Sequence, residues 1–130
     1  LATFSSFDVG KYVSERTQPE RFYHGFVLGL LIEIRDRYDV RSNRESGFGR
    51  YDVVMEPLQK QFDAIVMEFK VQNPAKEESL QHTVKNALLQ IEEKNYDTEL
   101  LARGIPKSKI RHYGFAFCGK EVLIGTDKSE

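Results

Sequence analysis

The chain has 130 residues, of which 40% are hydrophobic and 12% aromatic, a composition that can build the core of one domain. No run of 18 apolar residues occurs and the first residues lack the pattern of a signal peptide, so we expect neither a membrane-spanning helix nor a secretory leader. The formal net charge of −1 gives no global attraction for nucleic acid. The single cysteine, Cys118, lies in an apolar stretch and predicts a buried thiol in a reducing, cytoplasmic protein.

The first predicted element is a helix. Residues 1–17 show no clear periodicity, which predicts a linker or the end of a preceding element, a domain over 18–125 and a tail over 126–130. Apolar residues then recur at three- and four-residue spacings, which predicts a helix over 18–37. Because the sequence does not begin with Met, we expect a processed chain or part of a longer protein.

The remaining elements are strands and a second helix. The segment FDAIVMEFKV at 62–71 is almost continuously apolar, as expected of a central strand covered on both faces. Leu80, Val84, Ala87 and Ile91 share one side of a helix predicted over 75–95, which a linker follows. The order of helix, three strands, helix and two strands predicts an α/β fold with a mixed central sheet flanked by helices. The five predicted strands are 38–43, 51–56, 62–71, 110–117 and 121–124.

The chemically informative residues are Asp52, Glu68 and Lys70. Glu68 and Lys70 interrupt the most apolar segment of the chain, and residues two apart on a strand point to the same face. Burying both charges costs several kcal/mol unless they are paired or coordinate a metal, so a structural ion pair is one interpretation. The chain's other Glu-x-Lys triplet, Glu92-Glu93-Lys94, lies in a charged part of the second predicted helix, where solvation and pairing along the helix explain it.

Asp52 favours a metal site over a purely structural pair. A hairpin from 51–56 to 62–71 would place Asp52 beside Glu68, and two carboxylates at strand ends form an oxygen site suited to Mg²⁺ or Mn²⁺. Such an ion can neutralise a phosphodiester and lower the pKa of a bound water. Lys70 would then orient or help to deprotonate that water and stabilise the developing negative charge.

These residues resemble the signature of the PD-(D/E)XK nuclease superfamily, with Gly47-Phe-Gly-Arg-Tyr-Asp52 followed by Glu68-Phe-Lys70 at the end of an apolar strand. The resemblance implies a restriction-endonuclease-like αβββαβ core, a divalent metal and hydrolysis of nucleic-acid phosphodiesters, with DNA as the expected substrate. By position, Asp52 and Glu68 would be metal ligands and Lys70 the catalytic lysine. Tyr51 stands where the superfamily's name has proline, a departure that many members share.

Residues around this signature resemble one branch of the superfamily, in which the domain commonly follows an AAA-like ATPase domain. The resemblance extends over about residues 18–125 and implies that an ATPase domain is a partner in the same chain. The residues that carry it are Phe22-Tyr-His-Gly-Phe26, Ser42-Asn-Arg-Glu-Ser-Gly47, Ala87-Leu-Leu-Gln-Ile91, Lys94 and Tyr96.

Three helical residues are accessory candidates. Glu20 and His24 lie one turn apart on the first predicted helix, and the resemblance implies Glu20 as a further metal ligand and His24 as a catalytic residue. A capping box from Thr17 to Glu20 and a packing role for His24 are the alternatives. Gln90 resembles the helical glutamine of related nucleases, although it is also suited to the polar border of an apolar stripe.

The other charged residues are predicted to have no chemical role. Glu77 and the acids near it are expected on a solvated surface, and His112 has no ligand-like partners at a suitable spacing. Five arginines between Arg35 and Arg50 would either contact phosphate or be solvated.

Two functions therefore stay open. One is a metal-dependent nuclease, and the other is a catalytically silent domain of the same fold that binds nucleic acid or protein, or oligomerises. The complete set of Asp52, Glu68 and Lys70 favours the nuclease, and the near-neutral charge favours the silent domain.

Overall fold

The structure, a computed structural model, describes residues 25, 26, 28–30, 32–44 and 50–127. Within this part of the chain, one mixed sheet contains five strands whose order in space follows their order in the sequence. The strands are β1 (Tyr38–Arg44), β2 (Arg50–Pro57), β3 (Ala64–Val71), β4 (Ile110–Cys118) and β5 (Glu121–Thr126). Neighbouring strands are antiparallel except for β3 and β4, which are parallel. The predicted α/β fold with a mixed sheet is therefore confirmed.

All five predicted strands are present, and each boundary differs from its prediction by two residues or fewer. Cys118 was expected to be buried but is exposed, because it ends β4 immediately before the turn into β5. The predicted linker over 1–17, the beginning of the first predicted helix over 18–24, and residues 128–130 of the predicted tail lie outside the described residues. None of the described helices has both the length and the apolarity needed to cross a membrane.

Two helices, α1 (Leu80–Lys94) and α2 (Asp97–Ala102), lie on the connection between β3 and β4. The second predicted helix was extended too far toward the N-terminus, because Ser79 caps α1 by accepting a hydrogen bond from the His82 backbone N–H at 3.2 Å. Asn95 ends α1 in the left-handed conformation, with φ of 56°. The predicted linker that follows contains α2, which is stabilised by the buried side chain of Leu100.

One face of the sheet packs against Phe26, Leu30 and Ile34 of the helical segment that precedes β1. Phe69 stacks on Phe115 with ring centroids 4.5 Å apart, and Phe26 meets Phe117 edge-on at 5.3 Å. Such arrangements suit the charge distribution of aromatic rings. We call this side the aromatic face. Its buried residues are Phe26, Ile34, Val53, Met55, Met67, Phe69, Phe115 and Phe117.

The opposite face packs against α1 and α2. Apolar residues from β2, β3 and β4 meet Ile91 of α1 and Leu100 of α2. Gly114 of β4 allows close approach of α1, since a Cβ there would lie 3.0 Å from the carbonyl oxygen of Val84. Because side chains alternate along a strand, Glu68 and Lys70 point to this side while Phe69 points to the aromatic face. We call it the charged face.

Candidate active site

Asp52 and Glu68 are directly opposed across the antiparallel pair β2 and β3. Residues in such a pair have Cα atoms about 4.5–5.5 Å apart and share a face of the sheet. Both side chains are buried, with exposed fractions of 2% for Asp52 and 0% for Glu68. The predicted hairpin that brings the two carboxylates together is therefore confirmed.

Two side chains from the end of α1 and the residues after it hold the carboxylate of Asp52. Lys94 donates to both oxygens, with its Nζ atom 3.2 Å from each, and the hydroxyl of Tyr96 donates to Oδ2. Lys94 was predicted to be solvated and paired along the helix, but only 21% of its side chain is exposed and its carboxylate partner is Asp52. It follows Ile91 by three residues and continues the buried stripe of α1, which is the pattern that could have indicated its position.

Lys70 has a different carboxylate partner, Glu77, whose Oε2 atom lies 2.7 Å from the lysine Nζ. Glu77 was predicted on a solvated surface, yet it is only 3% exposed. Its carboxylate also accepts hydrogen bonds from the backbone N–H of Asn73, the hydroxyl of Thr83 and the amide of Asn86. No local sequence pattern indicates this role, because the donors come from four separate positions.

The surroundings of Glu77 favour its ionised form. Burial opposes the negative charge, but the hydrogen bonds from Asn73, Lys70 and Asn86 outweigh it and lower the pKa of Glu77 to about 2. Glu77 is therefore a carboxylate at neutral pH, and Lys70 faces a buried negative charge.

The structure brings Lys70 and Gln90 to one cleft of about 280 Å³, which Asn73, Lys76, Glu77 and Asn86 also line. Asp52 borders a second cleft of about 250 Å³, together with Arg41, Ser42 and Tyr96. The other two candidates, Glu20 and His24, lie outside the described residues. The candidates Asp52, Glu68 and Lys70 thus share the charged face, but Lys70 and Gln90 line one cleft and Asp52 lines another. The structure adds Glu77 beside Lys70, and Lys94 and Tyr96 beside Asp52.

Arg41, an arginine of the predicted cluster, lines the same cleft as Asp52. Its guanidinium contacts Glu99 at 2.7 Å and Glu56 at 3.3 Å, and Arg103 contacts the same two carboxylates. This network neutralises Arg41, which weakens the expectation that it contacts phosphate.

His112 lies between two carboxylates that are distant from it in sequence. Its Nδ1 is 2.8 Å from Asp127 and its Nε2 is 2.8 Å from Asp97. Burial disfavours a charged ring, but the two hydrogen bonds outweigh burial and raise the pKa of His112. The expectation that His112 has no ligand-like partners considered sequence spacing alone and missed this contact between β4, α2 and the end of β5.

The carboxylates of Asp52 and Glu68 form a donor set that fits a small divalent cation. Among the residues that the structure describes, no group of three or more His, Cys, Asp and Glu side chains is arranged to hold a metal. Mg²⁺ does not require such a group, because one or two carboxylates commonly hold it while water and substrate oxygens complete the coordination. Two opposed carboxylates on a buried face meet this requirement.

Comparison with known proteins agrees with this geometry. The model of the PD-(D/E)XK nuclease superfamily matches residues 18–127, a range that contains the whole sheet, both α1 and α2, and every candidate residue. No curated protein and no solved structure matches the sequence.

Proposed function

We propose, from the premise that this chain belongs to the PD-(D/E)XK nuclease superfamily, that it hydrolyses nucleic-acid phosphodiester bonds with the help of a divalent metal, and that DNA is its substrate. The observation that carries the proposal is the buried register pair of Asp52 and Glu68, with Lys70 on the same face. Two adjacent buried carboxylates are costly in an apolar sheet, and a bound cation would offset that cost.

Asp52 and Glu68 would hold Mg²⁺ or Mn²⁺, and Glu20 is proposed as an additional ligand. When bound, the ion would stabilise negative charge on the phosphate and lower the pKa of a water molecule. The hydroxyl of Tyr96 would help to orient the Asp52 carboxylate for the ion, whereas the ammonium of Lys94, which contacts both carboxylate oxygens, would compete with the ion.

Lys70 and Gln90 would act on the substrate from the cleft that they share. The ammonium of Lys70 would donate hydrogen bonds to the attacking water or a phosphate oxygen and stabilise charge that develops in the transition state. Gln90 carries both a donor and an acceptor and would orient the same groups. His24 is proposed as an accessory residue.

We further propose that this nuclease domain is linked to an AAA-like ATPase domain in a longer, cytoplasmic protein. Support comes from the residues that resemble the ATPase-associated branch. Lys94 and Tyr96 are among them, and both contact Asp52, a candidate metal ligand.

One observation favours the alternative, a catalytically silent domain that binds nucleic acid or protein. Lys70 and Lys94 each contact a carboxylate, so much of the buried charge is compensated without a metal. The presence of Asp52 and Glu68 as an adjacent buried pair still favours the nuclease, because a single acid would suffice for an ion pair with Lys94.

The test compares the wild-type protein with Lys70→Ala, Asp52→Ala and, as a control, Lys120→Ala in the exposed turn between β4 and β5. Single-stranded DNA, double-stranded DNA and RNA are incubated with Mg²⁺ or Mn²⁺, and metal binding is measured by calorimetry. We expect Lys70→Ala to slow cleavage by about 10²–10⁴-fold while metal binding persists, because lysine supplies no oxygen ligand.

Asp52→Ala should lose both cleavage and metal binding, and Lys120→Ala should lose neither. Cleavage by Lys70→Ala at the wild-type rate would remove Lys70 from the mechanism. Equal metal binding by Asp52→Ala and the wild type would remove the metal site. If the wild type binds nucleic acid and cuts none of the three substrates, the silent domain becomes the better description.

A further inference from the structure

We infer that Glu77 is a positioning residue that fixes the ammonium of Lys70 in the candidate active site, an inference that rests on the proposed nuclease function. Glu77 lies in the segment between β3 and the N-cap of α1, seven residues after Lys70. Its carboxylate is buried, whereas the side chains on either side of it, Lys76 and Glu78, are exposed. The segment therefore turns one acid inward, toward the lysine.

The hydrogen bonds to Glu77 fix its position from several directions. Oε1 accepts from the Asn73 backbone at 2.7 Å and the Thr83 hydroxyl at 3.0 Å. Oε2 accepts from the Asn86 amide and the Lys70 ammonium, each at 2.7 Å. The donors belong to the end of the β3 segment and to the first turns of α1, so the carboxylate cannot move without breaking contacts with both.

This arrangement restrains a side chain that is otherwise flexible. Lysine carries its charge on four rotatable carbons, and a free ammonium samples many positions. A misplacement of about 1 Å at a reacting centre can reduce the rate about 100-fold. The Oε2 atom of Glu77 holds the Nζ atom of Lys70 at 2.7 Å and so keeps the lysine in the cleft that Lys70 shares with Gln90.

The charge of Glu77 matters most for Lys70. Asn73, Thr83 and Asn86 offer neutral donors, which a neutral carbonyl oxygen can also accept. All four hydrogen bonds gain from the negative charge of Glu77, but the bond from Lys70 gains most, because both of its partners are charged.

The experiment uses Glu77→Gln, which keeps the size of the side chain and removes its charge. The matched control is Glu78→Gln, the same chemical change at the exposed neighbour. We expect Glu77→Gln to lower kcat by about 10–100-fold with KM and metal affinity unchanged. Losses of this size are common when a residue that orients an active-site group is replaced. Glu78→Gln should match the wild type.

A double-mutant cycle separates positioning from structural damage. In a Lys70→Ala background, Glu77→Gln should cause no further loss of residual cleavage, because the group through which it acts is absent. An equal loss in both backgrounds, or cleavage by Glu77→Gln at the rate of Glu78→Gln, would overturn the inference.

A second measurement does not depend on cleavage, so the inference can be tested even if the proposed function fails. A clamped ammonium exchanges its protons slowly enough to give a lysine side-chain ¹H–¹⁵N resonance, which is assigned to Lys70 by its loss in Lys70→Ala. We expect this resonance to persist in Glu78→Gln and to vanish in Glu77→Gln. Its persistence in Glu77→Gln would show that another group holds the lysine and would overturn the inference.

Discussion

The two faces of the sheet are stabilised by different physical interactions. The aromatic face is stabilised by burial of apolar surface and by close packing of rings, and neither needs a hydrogen-bond partner at a fixed position. Its rings are Phe26, Phe69, Phe115 and Phe117. On the charged face, buried Asp52 and Glu77 depend on particular donors at particular distances. Stability on the first face should therefore be insensitive to pH and ions, whereas the second face should respond to both.

The difference also separates the residues that hold the sheet together from those that can carry chemistry. Phe69 lies between Glu68 and Lys70 in sequence, yet its side chain is on the other side of the sheet. The same three-residue segment thus supplies a central core residue and two candidate active-site residues. A rigid core directly behind the site limits its movement.

The largest effect on stability is expected from Phe69→Ala on the aromatic face. Removing a fully buried ring from contact with three other aromatic rings should lower the free energy of unfolding by about 3–5 kcal/mol, independently of divalent ions. Urea denaturation with and without Mg²⁺ measures this. The control is Phe62→Ala, a ring that is 45% exposed, which should cost far less. A metal-dependent loss in Phe69→Ala would contradict the proposed independence of the two faces.

The next effect is expected from Lys94→Met on the charged face. Removing one partner of a buried ion pair costs about 3–5 kcal/mol, and the partial exposure of Lys94 should place the loss at or below the lower end of that range. Without the competing ammonium, Mg²⁺ should raise the melting temperature of Lys94→Met more than that of the wild type.

Thermal melts across a metal titration test this prediction, with Lys120→Met as the exposed control. An apo stability equal to that of the wild type would show that Lys94 does not compensate the charge of Asp52. An equal metal-induced shift in both proteins would show that the ammonium does not compete with the ion.

The smallest effect concerns His112. Because Asp97 and Asp127 raise its pKa in the folded state above the unfolded value near 6.5, the stabilisation is complete below that value and is lost as the pH rises through the folded pKa. We expect a loss on the order of 1 kcal/mol between about pH 6 and pH 9, as for other partly exposed ion pairs. Urea midpoints at both pH values measure it. Asp127→Asn should reduce the slope, and an unchanged slope would mean that this contact does not couple to pH.

The sheet could be predicted from the sequence because its signals are local. The apolar run that contains Glu68-Phe69-Lys70 indicates a central strand. The two charged residues within it indicate which face of the sheet carries the candidate active site. The short connection from β2 to β3 then makes an antiparallel hairpin the simplest arrangement, which places Asp52 beside Glu68. Gln90 lines the same cleft as Lys70, a juxtaposition that its position at the border of the apolar stripe of α1 did not by itself predict.

The partners of the site could not be predicted in the same way. Tyr96 and Lys94 lie 44 and 42 residues from Asp52, so their contacts depend on how α1 crosses the sheet. Glu77 precedes a helix and lies among polar residues, a context that usually means exposure. Its burial depends on donors that only the folded segment brings together. The sequence shows which residues are acidic or basic, but it does not show which acid contacts which base in the folded protein.

The parallel pairing of β3 with β4 has a consequence for the order in which the site forms. Six residues (58–63) connect β2 to β3, whereas 38 residues (72–109) separate β3 from β4. Closing the longer loop costs about 1.6 kcal/mol more in chain entropy, and non-local pairings of this kind slow folding. The hairpin that opposes Asp52 and Glu68 can therefore form first, before the crossover carries Lys94 and Tyr96 into place. The two carboxylates would then meet early in folding, while water still surrounds them.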